Sequence, residues 1–293
     1  MIAIDLGSNT IRFIEYNGKT WGKSYEKIVR TAEGLYETGI IGENAIRRIV
    51  DAINEAKKEI DFSHSDVIGY TTAAMRLASN NQSALKAIEA ETGILFTIID
   101  ADKEATLTLN AVRYRLDRLG IEPSSFLLAD IGGGSTELIR YECGTVKTVS
   151  LNIGIVTLSE SSASSAELIK NIELFKAKIK DTVEIHPKTR LVMTAGTPTT
   201  IAAYLNGMDY KHYDPDKING TSLKLNDCYR VYDELMGMDD VARTRYVGVG
   251  REKLIMAGIL MVNAIYEVLQ YHESVIIDDG LREGIALEYF KLH

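Results

Sequence analysis

The sequence predicts an α/β protein built from two similar halves, and a repeated turn is the first reason. Ile4-Asp5-Leu6-Gly7-Ser8-Asn9-Thr10 is echoed by Ala129-Asp130-Ile131-Gly132-Gly133-Gly134-Ser135-Thr136. Each comes after an apolar run, 1–6 or 126–131, and each leads into a second strand-like run, 11–16 or 137–141. Both read as a strand, a tight polar turn and a returning strand. The second reason is the pattern downstream of each turn: segments of helical period alternate with short apolar segments of strand length. Strand pairs leading into alternating helices and strands, twice over, imply two α/β halves. A length of 293 residues leaves room for one large or two medium domains.

The elements come in order along the chain. Residues 43–60 place Ile46, Ile49, Val50, Ile53 and Ile60 on one helical face. A strand is expected over 67–71, running into a helix over 73–78; 82–92 reads as a helix and 94–99 as a buried strand. The clearest helix is 103–119, where Ala105, Leu109, Val112, Leu116 and Leu119 share a face and Gly120 is the stop. The Gly-Ile-Glu-Pro-Ser-Ser segment at 120–125 is the expected linker. Domains are therefore expected at 1–122 and 123–293, with a C-terminal helix at about 285–293 packing back on the first. The second half continues with a strand at 146–151, a small polar loop at 159–165 expected to be mobile, and a helix at 166–183. A strand at 191–194 leads through Ala195-Gly196-Thr197 into a helix with Pro198 at its first position. Helices at 226–236 and 252–269, a strand at 275–277 and a helix at 281–290 complete the chain.

Composition narrows the class. Apolar residues at 45% and charged residues at 25% are ordinary for a soluble globular protein. No apolar run reaches bilayer length and no secretory signal opens the sequence, so neither a membrane partner nor export is expected. Cys143 and Cys228 have no metal-type spacing and read as reduced, which predicts a cytoplasmic location. The five histidines are scattered, which argues against a zinc enzyme. A net charge of −8 argues against general nucleic-acid binding. It leaves room for a polyanion held in a locally basic site.

The motifs point to phosphate. Glycine lets the backbone approach a ligand closely, and small hydroxyls with free N–H groups cradle anionic oxygen. Asp5 and Asp130 end their strands in matching contexts, where a carboxylate can hold a hydrated metal ion. Gly196 and Thr197 open a helix, a ready anion site. Arg30, Arg76 and Arg282 lie in turn-like sequence and could fork onto phosphate oxygens. Tyr204, Tyr210 and Tyr213 near the third turn could stack on a base, with a structural role the commoner outcome. No Walker-type P-loop and no Gly-x-Ser-x-Gly elbow is present.

The pattern resembles the exopolyphosphatase / guanosine pentaphosphate phosphatase (Ppx/GppA) family. The residues that carry the resemblance are Ala3 to Arg12, Val29-Arg30 with Glu33-Gly34-Leu35, and Thr71 to Asn80. It continues through Asp130 to Glu137, Ala195-Gly196-Thr197 with Thr199-Thr200, Tyr213-Asp214-Pro215, and Asp278 to Gly284. The resemblance implies two actin-like, ribonuclease H-like domains of the actin, sugar-kinase and heat-shock ATPase (ASKHA) superfamily flanking a cleft, in the family's short form. It implies hydrolysis of terminal phosphate from inorganic polyphosphate, guanosine pentaphosphate or both, with Mg²⁺. Gly7, Ser8, Asn9, Thr10, Arg12, Arg30, Arg76, Gly132, Gly133, Gly134, Ser135, Gly196 and Thr197 would hold phosphate. Asp5, Asp130 and Glu137 would handle the metal. Glu104 matches the second glutamate of the family's Ile-Ser-Gly-x-Glu-Glu-Ala segment and takes the role of base, with Glu137 beside it. A homodimer is also suggested at family level.

The sequence departs from the family at three places. Lys103 replaces a glutamate, with Ala101 where the family has glycine. Thr157 stands where the family has arginine in Gly-x-Val-Arg-Leu-Thr-Glu, and Arg251-Glu252-Lys253 replaces Arg-Ala-Asp. A catalytically weak sensor of guanosine polyphosphate or polyphosphate on the same fold is the rival reading, and a kinase or ATPase of the same superfamily is a third.

Overall fold

The computed structural model describes residues 1–183 and 189–292. His186 and His293, the latter closing the expected C-terminal helix, lie outside the described residues. The chain forms two compact units, residues 1–111 with 280–293, and residues 112–279.

The first unit opens with a meander of β1 (Ile2–Leu6), β2 (Thr10–Tyr16) and β3 (Trp21–Ile28). It continues through α1 (Leu35–Thr38), α2 (Glu43–Glu59), β4 (Val67–Thr71), α3 (Ala73–Leu77), α4 (Asn81–Thr92), β5 (Phe96–Ile98) and α5 (Ala101–Arg118). The strand order is β3-β2-β1-β4-β5; β4 runs parallel to β1 and β5 parallel to β4. One sheet face carries Ile4 and Phe13, with Tyr25 and Phe62 edge-on to Phe13. Of the face predicted for α2, Ile49, Val50 and Ile53 are buried, as is Ile60 just after the helix, while Ile46 is half-buried; Ala45, Ala52 and Ala56 complete the buried side. The other face presents Ala3, Ile14 and Tyr16 to Leu107 of α5 and to Leu281, Ile285 and Ala286. Those last three lie on α13 (Leu281–Leu292), which is packed here against β1 and β2.

The second unit repeats the plan. A meander of β6 (Ser125–Ile131), β7 (Thr136–Glu142) and β8 (Thr145–Leu151) leads into α6 (Ile155–Glu160), α7 (Ser165–Thr182), β9 (Arg190–Thr194) and α8 (Gly196–Leu205). Then come a 3₁₀ turn at Tyr210–His212, α9 (Pro215–Ile218), β10 (Thr221–Lys224), α10 (Leu225–Met236), α11 (Asp240–Val247), α12 (Leu254–Leu269) and β11 (Glu273–Ile276). Its sheet order is β10-β11-β9-β6-β7-β8, so β8-β7-β6-β9-β11 matches the order of the first sheet. Helix α12 is apolar nearly all round and buried against α6, α7, α8 and α10, as such a helix must be. Among the described residues no helix is long and apolar enough to cross a membrane.

Several details differ from the sequence reading. The units divide inside α5 instead of at 120–125, because α5 is one unbroken helix. The edge strands β3 and β10 lack a clear apolar alternation and were not expected from the pattern. Residues 155–160 form the short helix α6, and the polar loop after it is tied down: Asn171 Nδ2 donates to Ser161 O at 3.2 Å and Ser162 Oγ at 2.9 Å. Helix α8 starts at Gly196, so Pro198 is its third residue and still lies among the first-turn positions that need no N–H partner.

Gly284 fixes how α13 meets α5. A Cβ placed there would lie 2.2 Å from the carbonyl oxygen of Leu107. Replacing Gly284 with alanine must push the helices apart, and overpacking of this kind costs about 1–3 kcal/mol. Urea denaturation should show the loss; an unchanged midpoint would mean that this crossing is looser than the structure has it.

Candidate active site

In the first unit, three parallel strands end in one row. Leu6 pairs with Thr71 and Thr71 with Ile98. Thr71 Oγ1 donates to Leu6 O at 2.8 Å, and Ile99 N donates to Thr71 O at 3.0 Å. The turns that leave these strands therefore start side by side. They carry Gly7 to Asn9, Thr72 to Arg76, and Ile99 to Glu104. Ligand sites of parallel α/β sheets form at such carboxyl ends.

The Gly7 turn is closed by one hydrogen bond, Gly7 N to Thr10 O at 2.9 Å. Its carbonyls face the next segment: Asn9 O accepts from Val29 N and Arg30 N at 2.9 Å each, and Ser8 O from Ala32 N at 2.9 Å. With the carbonyls so engaged, the amides of Ser8 and Asn9 have no protein acceptor among the described residues. Asn9 also holds a buried side-chain amide oxygen without a hydrogen-bond partner among the described residues. Arg30 sits at φ 48°, a left-handed conformation that an arginine adopts only under constraint. The constraint is visible: Arg48 donates to Val29 O at 2.8 Å and to Glu33 at 2.7 Å, and Arg30 pairs with Glu33 at 3.0 Å.

Glu104 lies in the first turn of α5. Arg76 Nη1 donates to its Oε2 at 3.0 Å and to Ile99 O at 2.9 Å. Lys103 points elsewhere: its ammonium meets Glu288 of α13 at 2.5 Å.

The second unit builds its turn in the same way. Gly132 N donates to Ser135 O at 3.0 Å. The turn's carbonyls are taken by the start of α6: Ile155 N donates to Gly132 O at 3.0 Å and Val156 N to Gly133 O at 2.8 Å. Helix α6 comes this close because residue 154 is glycine; a Cβ there would sit 2.5 Å from Gly133 C and O. The amides of Gly133, Gly134 and Ser135 have no protein acceptor among the described residues. Asp130 opposes Glu137 across the strand pair, and Ser150 Oγ donates to Glu137 Oε1 at 2.9 Å. Glu137 is 1% exposed.

The remaining positions fall into two groups, those drawn into the sheet and those spent on packing. Asp5 opposes Arg12 across the first strand pair, and Arg12 Nε pairs with Glu26 at 3.0 Å, so this arginine is drawn into the sheet. Gly196 begins α8, and the side chain of Thr197 is turned toward α12. It is fully buried, and a Cβ on Gly258 of α12 would lie 2.3 Å from its Oγ1. Thr197 thus packs against α12, with its hydroxyl lacking a hydrogen-bond partner among the described residues. Arg282 pairs with Glu283 at 2.5 Å. The tyrosines have structural tasks: Tyr204 donates to Glu234 at 2.7 Å, and Tyr213 donates to Asp278. Burial, then the Glu234 carboxylate, pushes the Tyr204 phenol up to about 12. Tyr210 lies against Gly248.

Sequence reasoning missed four residues of this neighbourhood. Arg48 sits mid-helix and Ser150 mid-strand, with no local signal. Gly154 precedes a helix that was not foreseen. Arg251 is 6% exposed with its guanidinium over Gly196, where a Cβ would meet Nη2 at 2.6 Å. In the sequence it stands out only as the first residue of the Arg251-Glu252-Lys253 segment.

No group of three or more His, Cys, Asp or Glu side chains converges to hold a metal among the described residues. The carboxylates of Asp130 and Glu137, opposed on one strand pair, are hard oxygen donors. Such a donor set fits Mg²⁺, which keeps its waters and takes one or two carboxylates plus substrate phosphate, better than a metal needing a full protein cage.

Comparison with known proteins places the chain. Residues 23–293 match the Ppx/GppA phosphatase family, and the protein belongs to that family. A bifunctional 3-dehydroquinate synthase/phosphatase of Fusobacterium nucleatum is 28% identical over 98% of this chain and 46% of its own length. Exopolyphosphatase 2 of Mycobacterium tuberculosis is 25% identical over 97% of both. A guanosine-5'-triphosphate,3'-diphosphate pyrophosphatase of Vibrio vulnificus is 28% identical over 98% of this chain and 58% of its own length. The chain thus spans about half the length of the Fusobacterium and Vibrio relatives. The crystal structure of the Aquifex aeolicus Ppx/GppA family member aligns with a TM-score of 0.77 at 28% identity, covering 99% of this chain and 97% of that one. The two-domain actin-like α/β fold expected from the sequence is the fold observed.

Ala195, at the start of α8, adopts φ 74° and ψ 178°. That region belongs essentially to glycine and costs about 1–3 kcal/mol for other residues. Ala195→Gly should therefore raise the urea midpoint, by about 1 kcal/mol once the added freedom of the unfolded chain is set against the relieved strain. A fall in stability would show the alanine to be unstrained.

Proposed function

We propose that this protein hydrolyses the terminal phosphoanhydride of inorganic polyphosphate or of guanosine pentaphosphate. The observation that carries the reading is the pair of turns after Asp5 and Asp130. Each is closed by one hydrogen bond, has its carbonyls engaged from behind, and leaves successive amides without protein acceptors among the described residues. Such nests bind anionic oxygen.

In this reading the amides of Ser8, Asn9, Gly133, Gly134 and Ser135 bind phosphate oxygens, and Arg30 adds positive charge. Glu104 takes a proton from the attacking water. Asp130 and Glu137 hold Mg²⁺ through oxygen, with Asp5 as the lone carboxylate of the other turn. Mg²⁺, when bound, neutralises charge on the phosphate chain. The relatives named as an exopolyphosphatase and a guanosine polyphosphate pyrophosphatase support this substrate class without choosing within it.

Two outcomes test the reading. Phosphate release from long polyphosphate or guanosine pentaphosphate should need Mg²⁺, vanish with EDTA and return on adding the metal. General-base help is worth roughly 10²–10⁴-fold, so Glu104→Gln should cost at least ~10²-fold in kcat while substrate binding persists. Turnover at the wild-type rate in that variant would remove Glu104 from the role. Tight binding of either substrate with no release from wild type would make the protein a sensor.

A further inference from the structure

We infer that Arg76 is a positioning residue for the base: it fixes the Glu104 carboxylate instead of serving as a phosphate ligand. The inference rests on the hydrolase reading above.

Arg76 is the penultimate residue of the single-turn helix α3, just past the end of β4. Its side chain crosses to the junction between β5 and α5. There one nitrogen, Nη1, donates both to the carbonyl of Ile99 at 2.9 Å and to Glu104 Oε2 at 3.0 Å. The first contact anchors the guanidinium to backbone held in the sheet, since Ile99 N is itself bonded to Thr71 O at 3.0 Å. The second transmits that anchor to the carboxylate. The side chains of Arg76 and Glu104 are 24% and 13% exposed, so water competes little for the pair.

The energetics favour this role. A glutamate side chain has several rotatable bonds, and freezing them costs up to about 2 kcal/mol of rotamer entropy. A general base must stand within hydrogen-bond reach of the water it activates. A misplacement of about 1 Å can cost ~10²-fold in rate. A charge-assisted contact from a guanidinium fixed at a second point supplies the restraint before substrate arrives. The backbone supports it further: Arg76 N donates to Thr72 O at 2.9 Å, and Asn81 Nδ2 holds Met75 O at 3.0 Å. A residue recruited only for charge would need no such scaffold.

The test is a double-variant cycle on the whole protein. Phosphate release would be measured for wild type, Arg76→Gln, Glu104→Gln and the double variant, with tripolyphosphate affinity by calorimetry. If Arg76 acts through Glu104, Arg76→Gln lowers kcat by about 10–10²-fold, with KM and affinity within about twofold. The double variant is then no slower than Glu104→Gln alone, because effects of groups acting as one unit do not add. Arg76→Lys keeps a cation beside Glu104 but loses the planar fork, and should recover part of kcat, which guards against misfolding of the glutamine variant. A rise of tenfold or more in KM and Kd, with losses that multiply in the double variant, would overturn the inference and make Arg76 a phosphate ligand. Absence of release from wild type would overturn the hydrolase reading and the inference with it, so the two failures are told apart.

Discussion

Everything in each candidate half-site depends on strand register at the carboxyl end of a sheet. In the first unit Leu6, Thr71 and Ile98 share one row, so the three departing turns cannot drift apart. In the second, Asp130 pairs with Thr194, and Met193 with Ile276, which aligns β6, β9 and β11 in the same manner. The bond of Thr194 Oγ1 to Asp279 O at 3.0 Å parallels that of Thr71 Oγ1 to Leu6 O in the first unit. Asp279 is in turn gripped by Arg115, whose Nε lies 3.0 Å from both carboxylate oxygens, with Asp279 almost wholly buried. Breaking such a pair leaves a buried charge uncompensated, at a cost of about 3–5 kcal/mol. The chemistry-bearing turns are thus held by backbone ladders and a few buried polar contacts, not by their own sequences. Glycine-rich turns can keep a fixed shape only when something else fixes it.

The two turns share a backbone plan but not a charge pattern. Residues opposed across antiparallel strands project to the same face. One row therefore runs Glu26, Arg12, Asp5, and its counterpart runs Ser150, Glu137, Asp130. In the first row a cation stands between two carboxylates. In the second two carboxylates are neighbours, with a hydroxyl donating to one of them. A divalent cation is attracted to the second arrangement and opposed by Arg12 in the first. The duplicated scaffold therefore differs in charge between its halves: under the proposed function the glycine-rich turn would suit a metal–phosphate complex, and the Gly7 turn would favour phosphate oxygens.

Much of this was legible in the sequence, for identifiable reasons. The two turns could be read because glycine, small hydroxyls and a preceding apolar run have a local meaning. The buried face of α2 came from periodicity, and α12 could be read as a helix. The features that escaped were set by contacts distant in sequence. Arg48 reaches back from α2 to Val29, and Ser150 meets Glu137 only because β7 and β8 pair. The packing of Thr197 also escaped, because a helix start looks the same whether its hydroxyl faces solvent or another helix, and its neighbour Gly258 lies far along the sequence on α12. Edge strands such as β3 show water one face and an edge, so their pattern carries little signal.

The three departures from the family pattern are the remaining grounds for doubting an enzyme, and each has a structural explanation within its own unit. Lys103 stands where the family has a second glutamate; its ammonium ties the start of α5 to Glu288 of α13. That bond steadies the helix that bears Glu104, so a carboxylate has been exchanged for a strut. Thr157 accepts the amide of Gly154 at 2.8 Å and so closes the first turn of α6, the helix whose N–H groups clamp the glycine turn. A threonine at this point supports the turn's shape where an arginine would add charge. In the third departure Glu252 accepts from Thr244 Oγ1 at 2.7 Å and Gly250 N at 2.9 Å, securing the loop that delivers Arg251 to Gly196. A decaying active site would be expected to lose its supports along with its residues. Here the altered residues are themselves supports, while Glu104, Asp130, Glu137 and both glycine turns are present, which favours the proposed hydrolase over the binding-only alternative.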